Sequence, residues 1–146
     1  RITGVKQNPE VSKPEFFAHE DCIESVERLH SILPSADHLV LALPRSAATD
    51  QIIGRDELEL LPRHAALYNI GRGNAIDQGA LAEALRAGQL EAAYLDVFDM
   101  EPLPLSSPLR SLAHCYLMPH ISAAAPEFLD LFIDEFSARY RKWHAE

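Results

Sequence analysis

Four polar side chains in the second half of the chain are best suited to chemistry: Arg72, Asp96, Glu101 and His120. A guanidinium can grip a carboxylate through two parallel hydrogen bonds and polarise a neighbouring carbonyl. An imidazole exchanges protons near neutral pH, and a nearby carboxylate can orient it and stabilise its charged form. Together these groups could bind a small acid and move a proton to or from one of its oxygens.

Each of these residues also has a simpler explanation. Arg72 fits a solvated arginine in a surface turn, Glu101 a loop acid, and His120 a histidine at a strand end. Asp96 lies near the end of a short apolar strand, where a carboxylate is costly unless it is paired or functional. Short motifs produce many false positives, so the choice depends on whether the fold brings these residues together.

The elements that would position these side chains are buried strands. The stretch from Ala65 onward has no polar alternation and reads as a strand that ends at Gly71, with Arg72 held between Gly71 and Gly73. Glycine tolerates positive φ and close approach of other groups to the backbone, so we expect a sharp turn there. Open parallel sheets bind ligands outside the carboxyl ends of their strands.

The rest of the chain alternates strands with helices. Asp77 is expected to cap one helix, and Gly88 is expected to end it. The alternation predicts an α/β fold, a parallel sheet with helices on both faces. Apolar spacing with proline and glycine breaks predicts strands at 1–5, 37–43, 92–97 and 115–118, and helices at 20–33, 56–61, 78–87 and 125–143.

Composition excludes several classes of function. The chain has 146 residues, enough for one domain, and its net charge of −9 comes without a dense Lys/Arg cluster, which argues against nucleic acid and anionic membranes. No apolar run approaches the ~18 residues that cross a bilayer. Cys22 and Cys115 fit no metal spacing, so we expect no metal and two reduced thiols in a cytoplasmic protein.

Two polar positions hint at a cofactor. If a nucleotide lies across the sheet, the residue after the first strand meets the adenosine ribose, where an acid suits NAD and a basic residue suits the 2′-phosphate of NADP. Lys6 with Asn8 therefore favours NADP, although a solvated loop lysine explains Lys6 equally well. Thr49 could hydrogen-bond a ligand or cap the turn that follows it.

The second half of the chain contains an ordered set of motifs. They are Asn-Ile-Gly-Arg-Gly at 69–73, Ile-Asp at 76–77, Ala-Leu-Ala-Glu-Ala-Leu at 80–85, Gly88, Leu-Asp-Val-Phe at 95–98, Glu-Pro-Leu-Pro at 101–104, Ser-Pro-Leu at 107–109 and Pro-His-Ile-Ser at 119–122. With these motifs the chain resembles the D-isomer-specific 2-hydroxyacid dehydrogenases, over roughly residues 1 to 146. The last helix, rich in Phe and Tyr, and the Ile-Ser-Ala run after His120 are most similar to the glyoxylate/hydroxypyruvate reductase branch.

The resemblance implies a catalytic set of Arg72, Glu101 and His120 and a cofactor that is NADP or NAD. Glu101 favours hydroxy acid chemistry, because the similar formate dehydrogenases carry Gln at that step. The residues expected to bind the cofactor are Lys6, Asn8, Leu43, Pro44, Thr49, Ile70, Gly71, Arg72, Asp96, His120 and Ala123.

The chain departs from the family at its start. None of its six glycines forms the Gly-x-Gly-x-x-Gly pattern, which should precede the first strand by about twenty residues. We therefore expect an incomplete Rossmann-like sheet that lacks the first βα unit, in the carboxyl-terminal part of a longer enzyme. Residues 1–124 would form a partial dinucleotide-binding domain, and 125–146 a helix that packs toward an absent substrate domain or is covered in a homodimer.

Two functions follow from these expectations. The first is reduction of a small 2-keto acid, of the glyoxylate or hydroxypyruvate type, to the D-2-hydroxy acid by NAD(P)H in the full-length protein, the fragment alone being inactive. The second is a non-catalytic remnant or partner-binding module with the same fold, motivated by the missing glycine-rich loop.

Overall fold

A computed structural model describes residues 1–10, 13–125 and 127–145. Its strands are short, three or four residues each, and every one of them pairs in parallel. The α/β class and the parallel pairing predicted from the alternation are confirmed. In chain order the elements are β1 (Thr3–Lys6), β2 (Cys22–Ser25), α1 (Leu29–Ile32), β3 (His38–Leu41), α2 (Arg55–Leu60), β4 (Ala66–Asn69), α3 (Gln78–Arg86), β5 (Ala92–Leu95), β6 (Cys115–Leu117) and α4 (Phe128–Ala145).

The strands form two sheets. The larger has the order β3-β4-β5-β6, so each strand pairs with the next strand along the chain, and β1 pairs with β2 in a separate two-stranded sheet. The register places Leu67 between Leu39 and Ala93 across the three neighbouring strands. The carboxyl ends of β3, β4, β5 and β6 therefore lie along one edge, because parallel strands run in the same direction.

The helix predicted at 20–33 is wrong in its first part. Cys22–Ser25 is strand β2, whose backbone bonds to β1 beginning with Cys22 N donating to Ile2 O at 3.1 Å. Helical structure begins only at Val26, as a 3₁₀ turn that leads into α1. The apolar residues at 26, 29, 32 and 33 supply the helical spacing, whereas Ile23 belongs to the strand.

The two faces of the larger sheet differ. One face is buried with the apolar side chains of α2 and α3, including Leu58, Leu81 and Leu85. The opposite face carries a row of three stacked tyrosines, with ring centroids 4.9 Å apart between the first pair and 4.6 Å apart between the second. This aromatic row is formed by Tyr68, Tyr94 and Tyr116, one from each of β4, β5 and β6.

Helix α3 has the ends that its sequence predicts. The Oδ1 atom of Asp77 accepts a hydrogen bond from Ala80 N at 3.0 Å, which satisfies one of the free N–H groups of the first turn. Gly88 follows the helix with φ of +65°, a conformation that glycine adopts without strain. Both predictions are confirmed, and they set where α3 begins and where it ends.

Helix α4 corresponds to the helix predicted at 125–143, of which position 126 lies outside the described residues. Its apolar residues are exposed, with Phe132 at 58% and Phe136 at 59%. The remaining exposed apolar members are Phe128, Leu129, Leu131, Ile133, Tyr140 and Trp143. No helix in the described part of the chain is both long and apolar enough to cross a bilayer.

Candidate active site

The turn that presents Arg72 is held by the side chain of Asn69, the last residue of β4. The buried amide of Asn69 donates through Nδ2 to the carbonyl of Arg72 at 3.0 Å and accepts through Oδ1 from Gly71 N at 3.1 Å. Arg72 also bends back, its Nη1 donating to the Gly71 carbonyl at 2.7 Å. Sequence reasoning gave Asn69 no role of its own, although a polar amide at the end of a buried strand is a usable signal.

Gly71 and Gly73 are required by close backbone approach rather than by positive φ, since Gly88 is the one positive-φ glycine among the described residues. A Cβ on Gly71 would lie 2.5 Å from the nitrogen of Leu43, in the loop after β3. A Cβ on Gly73 would collide with the backbone of Phe98, in the loop after β5. The two glycines therefore let three neighbouring strand-end loops touch.

His120 and Glu101 form a close pair. His120 Nδ1 lies 2.8 Å from Glu101 Oε2, while Glu101 Oε1 accepts from Phe98 N at 2.9 Å. The hydrogen bond with His120, and then the one from Phe98, hold the pKa of Glu101 below its usual range. Because Glu101 occupies Nδ1, the Nε2 atom is the ring nitrogen left to exchange a proton with a substrate.

Asp96 lies beneath the turn that follows His120. Its side chain is fully buried, and its two oxygens accept from Ile121 N and Ser122 N, each at 2.8 Å. Burial raises the pKa of Asp96, but the hydrogen bonds from Ser122 and Ile121 outweigh this and lower it overall. His120 itself has φ of +56°, in the left-handed region that residues with a Cβ rarely adopt.

These loops border an open pocket of about 240 Å³, and the three residues expected to be catalytic all line it. Burial raises the pKa of Asp99, one of its lining residues, and nearby Arg45 opposes that shift. Sequence reasoning missed Arg45, Asn74 and Asp99, although two of them directly follow the strand-end positions Pro44 and Phe98. The lining residues are Arg45, Arg72, Gly73, Asn74, Phe98, Asp99, Glu101 and His120.

A second cavity of about 490 Å³ also borders Glu101 and His120. Its wall is ordered by Arg110, whose guanidinium donates to the carbonyls of Leu103 at 2.6 Å and Pro104 at 3.0 Å. The other lining residues are Phe98, Pro102, Leu117, Met118 and Pro119. Apolar space therefore adjoins the imidazole next to the polar pocket.

Among the residues expected to bind a cofactor, Thr49 bonds to the segment before it rather than to the turn after it: its Oγ1 donates to Pro44 O at 2.7 Å and accepts from Ser46 N at 3.0 Å. Leu43 lies against Gly71, and Ile70, 46% exposed, is on the same edge of the sheet. Pro44 and Ala123 are exposed in the loops after β3 and after His120.

The ribose-side candidates lie on the other sheet. Lys6 ends β1 with an exposed side chain, and Asn8 Oδ1 accepts from Glu10 N at 3.2 Å. Neither residue lines the 240 Å³ pocket. No cluster of three or more possible metal ligands was found in the stretches that the structure describes.

Open parallel sheets bind their ligands outside the carboxyl ends of the strands, and the loops at that edge of this sheet carry Arg72, Glu101 and His120. Residues 2–122 match the family described as D-isomer specific 2-hydroxyacid dehydrogenase, NAD binding domain. The chain belongs to this family of dehydrogenases, as its motifs predicted.

Individual relatives agree with the family assignment. The chain is 42% identical to glyoxylate/hydroxypyruvate reductase B of Enterobacter sp. (strain 638) over 99 residues, which are 68% of this chain and 31% of that protein. The structure of a D-isomer specific 2-hydroxyacid dehydrogenase family protein from Aeromonas salmonicida subsp. salmonicida A449 superposes with a TM-score of 0.78 at 33% identity, covering 98% of this chain and 44% of that one.

A second similar structure holds a cofactor. It is a D-isomer specific 2-hydroxyacid dehydrogenase from Xanthobacter autotrophicus Py2 in complex with NADPH and MES, with a TM-score of 0.70, 31% identity and coverage of 82% of this chain and 36% of that one. The chain thus spans about a third of the length of the curated relatives it matches.

Proposed function

We propose that the polypeptide carrying this chain reduces a small 2-keto acid to the D-2-hydroxy acid with a nicotinamide cofactor. The observation that carries the proposal is the 240 Å³ pocket, to which three separate loops contribute Arg72, Glu101 and His120. The 2.8 Å pairing of His120 with Glu101 supports proton transfer rather than mere binding. The family, and relatives named glyoxylate/hydroxypyruvate reductase, support this substrate class.

In this proposal each side chain has one task. Arg72 holds the carboxylate of the keto acid through its guanidinium and polarises the adjacent carbonyl. His120 donates a proton from Nε2 to the carbonyl oxygen, and Glu101 orients the ring from Nδ1 and balances its charge. A bound nicotinamide supplies the hydride that reaches the keto carbon.

The described residues fit the nicotinamide end of such a cofactor. Apolar Ile70 and Leu43 lie at the same sheet edge as Arg72, where they would pack against the nicotinamide ring. These 146 residues contain no glycine-rich loop for the pyrophosphate. We propose NADP rather than NAD, because exposed Lys6 ends β1 where a 2′-phosphate would bind and a similar structure contains NADPH.

Turnover by Arg72 variants tests the reductase proposal in the longest natural polypeptide that carries this chain. Arg72→Ala removes charge-assisted hydrogen bonds worth ~1.5–3 kcal/mol, so kcat/KM for glyoxylate and hydroxypyruvate should fall roughly 10- to 100-fold. Arg72→Lys keeps the positive charge but cannot form two parallel hydrogen bonds, so its kcat/KM should lie between that of the wild type and that of Arg72→Ala. Arg86→Ala, an exposed arginine in α3, is the control. Wild-type turnover by Arg72→Ala would rule the proposal out.

A titration with NADPH and NADH tests the cofactor proposal. Lys6→Ala should weaken NADPH binding and leave NADH binding unchanged, because only NADPH has the 2′-phosphate. The control is Lys13→Ala, a lysine whose Nζ donates to the Asp21 carbonyl instead. An equal loss of affinity for NADPH and NADH in Lys6→Ala would show that Lys6 does not act on the 2′-phosphate.

A second candidate function is a partner-binding module without catalysis. It is favoured by the exposed apolar residues of α4 and by the lack of a Gly-x-Gly-x-x-Gly motif in these 146 residues. Micromolar NADPH binding by the purified chain, with oxidation of NADPH by glyoxylate, would refute it.

The organisation around the site is part of the proposal. Residues 1–124 act as a partial dinucleotide-binding domain, and 125–146 pack toward a substrate domain or are covered in a homodimer. The exposed apolar side chains of α4 support a covering partner of one kind or the other. The free cysteines Cys22 and Cys115 support a cytoplasmic protein.

A further inference from the structure

We infer that Arg45 is a specificity-determining residue of the candidate active site, where it binds a second anionic group at the far end of the keto acid. The inference rests on the proposed function and adds a substrate class to it, the short 2-keto dicarboxylic acids. Arg45 lines the same 240 Å³ pocket as Arg72, Glu101 and His120, but it has no task in the reduction as proposed above.

The backbone on both sides of Arg45 is held by the side chain of one residue, Thr49. Its Oγ1 donates to the carbonyl of Pro44 at 2.7 Å and accepts from Ser46 N at 3.0 Å, and Thr49 N donates to Ser46 O at 3.1 Å. Because proline also has a fixed φ, the backbone that carries Arg45 has little freedom. The guanidinium is therefore presented from a defined point, although its side chain is exposed.

The loop after β3, which carries Arg45, is tied to the turn that carries Arg72. Gln51 N donates to Asn74 O at 2.7 Å, and Asn74 Nδ2 donates to Asp50 Oδ1 at 3.0 Å. Two guanidinium groups thus line one pocket from two loops whose backbones are joined.

The acids that line the pocket leave Arg45 available to a ligand. Among the residues that the structure describes, no carboxylate forms an ion pair with Arg45. Glu101 is paired with His120 instead. Asp99 is the other acid of the pocket; burial raises its pKa, and Arg45 opposes that shift without ion-pair contact. Arg45 therefore keeps guanidinium donors for an incoming carboxylate.

Two arginines in one pocket favour an acid with two negative groups, because a guanidinium binds a carboxylate through two parallel hydrogen bonds. Arg72 is assigned to the carboxylate next to the keto group, and His120 to the keto oxygen. Arg45 is then the cation that remains for a carboxylate at the other end. Oxaloacetate has this form, since a single methylene group separates its keto carbon from its second carboxylate. Its reduction is the reaction already proposed, in which the keto carbon gains a hydride and the keto oxygen gains a proton.

The test compares two substrates of the same shape and different charge in the longest natural polypeptide that carries this chain. 4-Methyl-2-oxopentanoate has two methyl groups where oxaloacetate has its second pair of carboxylate oxygens, so the ratio of their kcat/KM values isolates the second charge. In Arg45→Leu the ratio of oxaloacetate to 4-methyl-2-oxopentanoate should fall about tenfold, the low end for a charge-assisted hydrogen bond. Arg45→Lys keeps the positive charge without the paired bonds, so its ratio should lie between those of the wild type and Arg45→Leu.

Arg86→Leu is the matched control for the loss of a positive charge. Arg86 is an exposed residue of α3 and lines neither cavity, so the ratio in this variant should equal that of the wild type. An unchanged ratio in Arg45→Leu, or an equal fall in Arg86→Leu, would overturn the inference. A wild type that reduces glyoxylate but not oxaloacetate would overturn it as well.

Equilibrium binding separates a failure of this inference from a failure of the proposed function. D-Malate and D-2-hydroxy-4-methylpentanoate, the products of the two substrates, are titrated by calorimetry with NADPH present, so that no reaction occurs. The affinity for D-malate relative to the uncharged product should fall about tenfold in Arg45→Leu. If the wild type reduces no keto acid, the proposed function fails, and this binding ratio still decides whether Arg45 binds the second carboxylate. If glyoxylate is reduced but both ratios in Arg45→Leu equal those of the wild type, the proposed function stands and this inference falls.

Discussion

Replacing Gly73 by alanine tests whether the strand-end loops touch as described. The new methyl group would occupy space taken by the carbonyl group of Phe98 and the amide nitrogen of Asp99. Both obstacles are backbone, so no side chain can rotate away. The substitution should push the loop after β5 outward and separate Glu101 from Arg72, because that loop carries Glu101.

The size of the effect follows from the kind of clash. Overpacking in a well-packed region costs roughly 1–3 kcal/mol and occasionally more, and a clash with backbone on two sides belongs at the upper end. Gly79→Ala is the matched control, since the nearest atom to its Cβ is Asp77 Oδ1 at 3.2 Å and the site lies in α3. Gly79 is the second residue of α3, where the helix-interior advantage of alanine over glycine does not fully apply and the Asp77 oxygen must shift slightly. The two variants should therefore differ in free energy of unfolding by about 3 kcal/mol, almost all of it from Gly73→Ala.

Urea denaturation of the 146-residue chain, followed by circular dichroism, gives these free energies. We expect Gly73→Ala to lose about 3 kcal/mol and Gly79→Ala to stay within about 0.5 kcal/mol of the wild type. A Gly73→Ala chain within about 0.5 kcal/mol of the wild type, the range of ordinary surface substitutions, would refute the close approach of the two loops. The pocket built on that approach would then need a different geometry.

Three further substitutions have defined outcomes. Asp77→Ala removes the cap of α3 and should lower the free energy of unfolding by about 1 kcal/mol in urea. Burial raises the pKa of Glu57, but hydrogen bonds from a backbone N–H and the His30 ring hold it below 4.5 overall. The stability from Glu57 is thus complete above its usual pKa and lost as pH falls through the lowered value, so Glu57→Gln should flatten the acid side of the stability–pH curve. Burial raises the pKa of Cys115 to about 11. In the Cys22→Ser variant iodoacetamide should therefore label Cys115 slowly at pH 8, and the labelling rate should rise about tenfold for each pH unit up to pH 11.

For each of these three predictions, one result would contradict it. Asp56→Ala, in the first turn of α2 without a capping bond, should change stability by less than about 0.5 kcal/mol. An equal loss of stability in Asp77→Ala and Asp56→Ala would show that the Asp77 cap does not stabilise α3. Acid sensitivity that survives Glu57→Gln would assign the titration to another carboxylate. Rapid labelling of Cys115 at pH 8 would show that its thiol is not buried.

The features that the sequence predicted are those fixed by neighbouring residues. The apolar run before Gly71, the cap at Asp77 and the terminator at Gly88 act within a few positions, and the structure has all three. The alternation of strands and helices was enough for the fold class. The pairing of Arg72, Glu101 and His120 in one pocket also agrees with reasoning from strand ends.

The features that the sequence did not predict depend on contacts between distant residues. Cys22–Ser25 is a strand because β1 lies beside it, and nothing within those four residues distinguishes a strand from the start of a helix. The bonds from Ile121 and Ser122 to Asp96 join positions 25 and 26 residues apart. Thr49 was expected to bind a ligand or to cap the turn after it, and its side-chain hydrogen bonds are instead with Pro44 and Ser46 before it. Local patterns contain no information on such long-range partners.

The consecutive order β3-β4-β5-β6 has a consequence for how the protein is made. Paired residues are 28 positions apart between β3 and β4, 26 between β4 and β5, and 22 between β5 and β6, as in His38–Ala66, Ala66–Ala92 and Ala93–Cys115. Each new strand therefore meets a partner that left the ribosome just before it, and no strand has to wait for one synthesised much later. This sheet can grow one strand at a time during translation, in the direction in which the chain emerges.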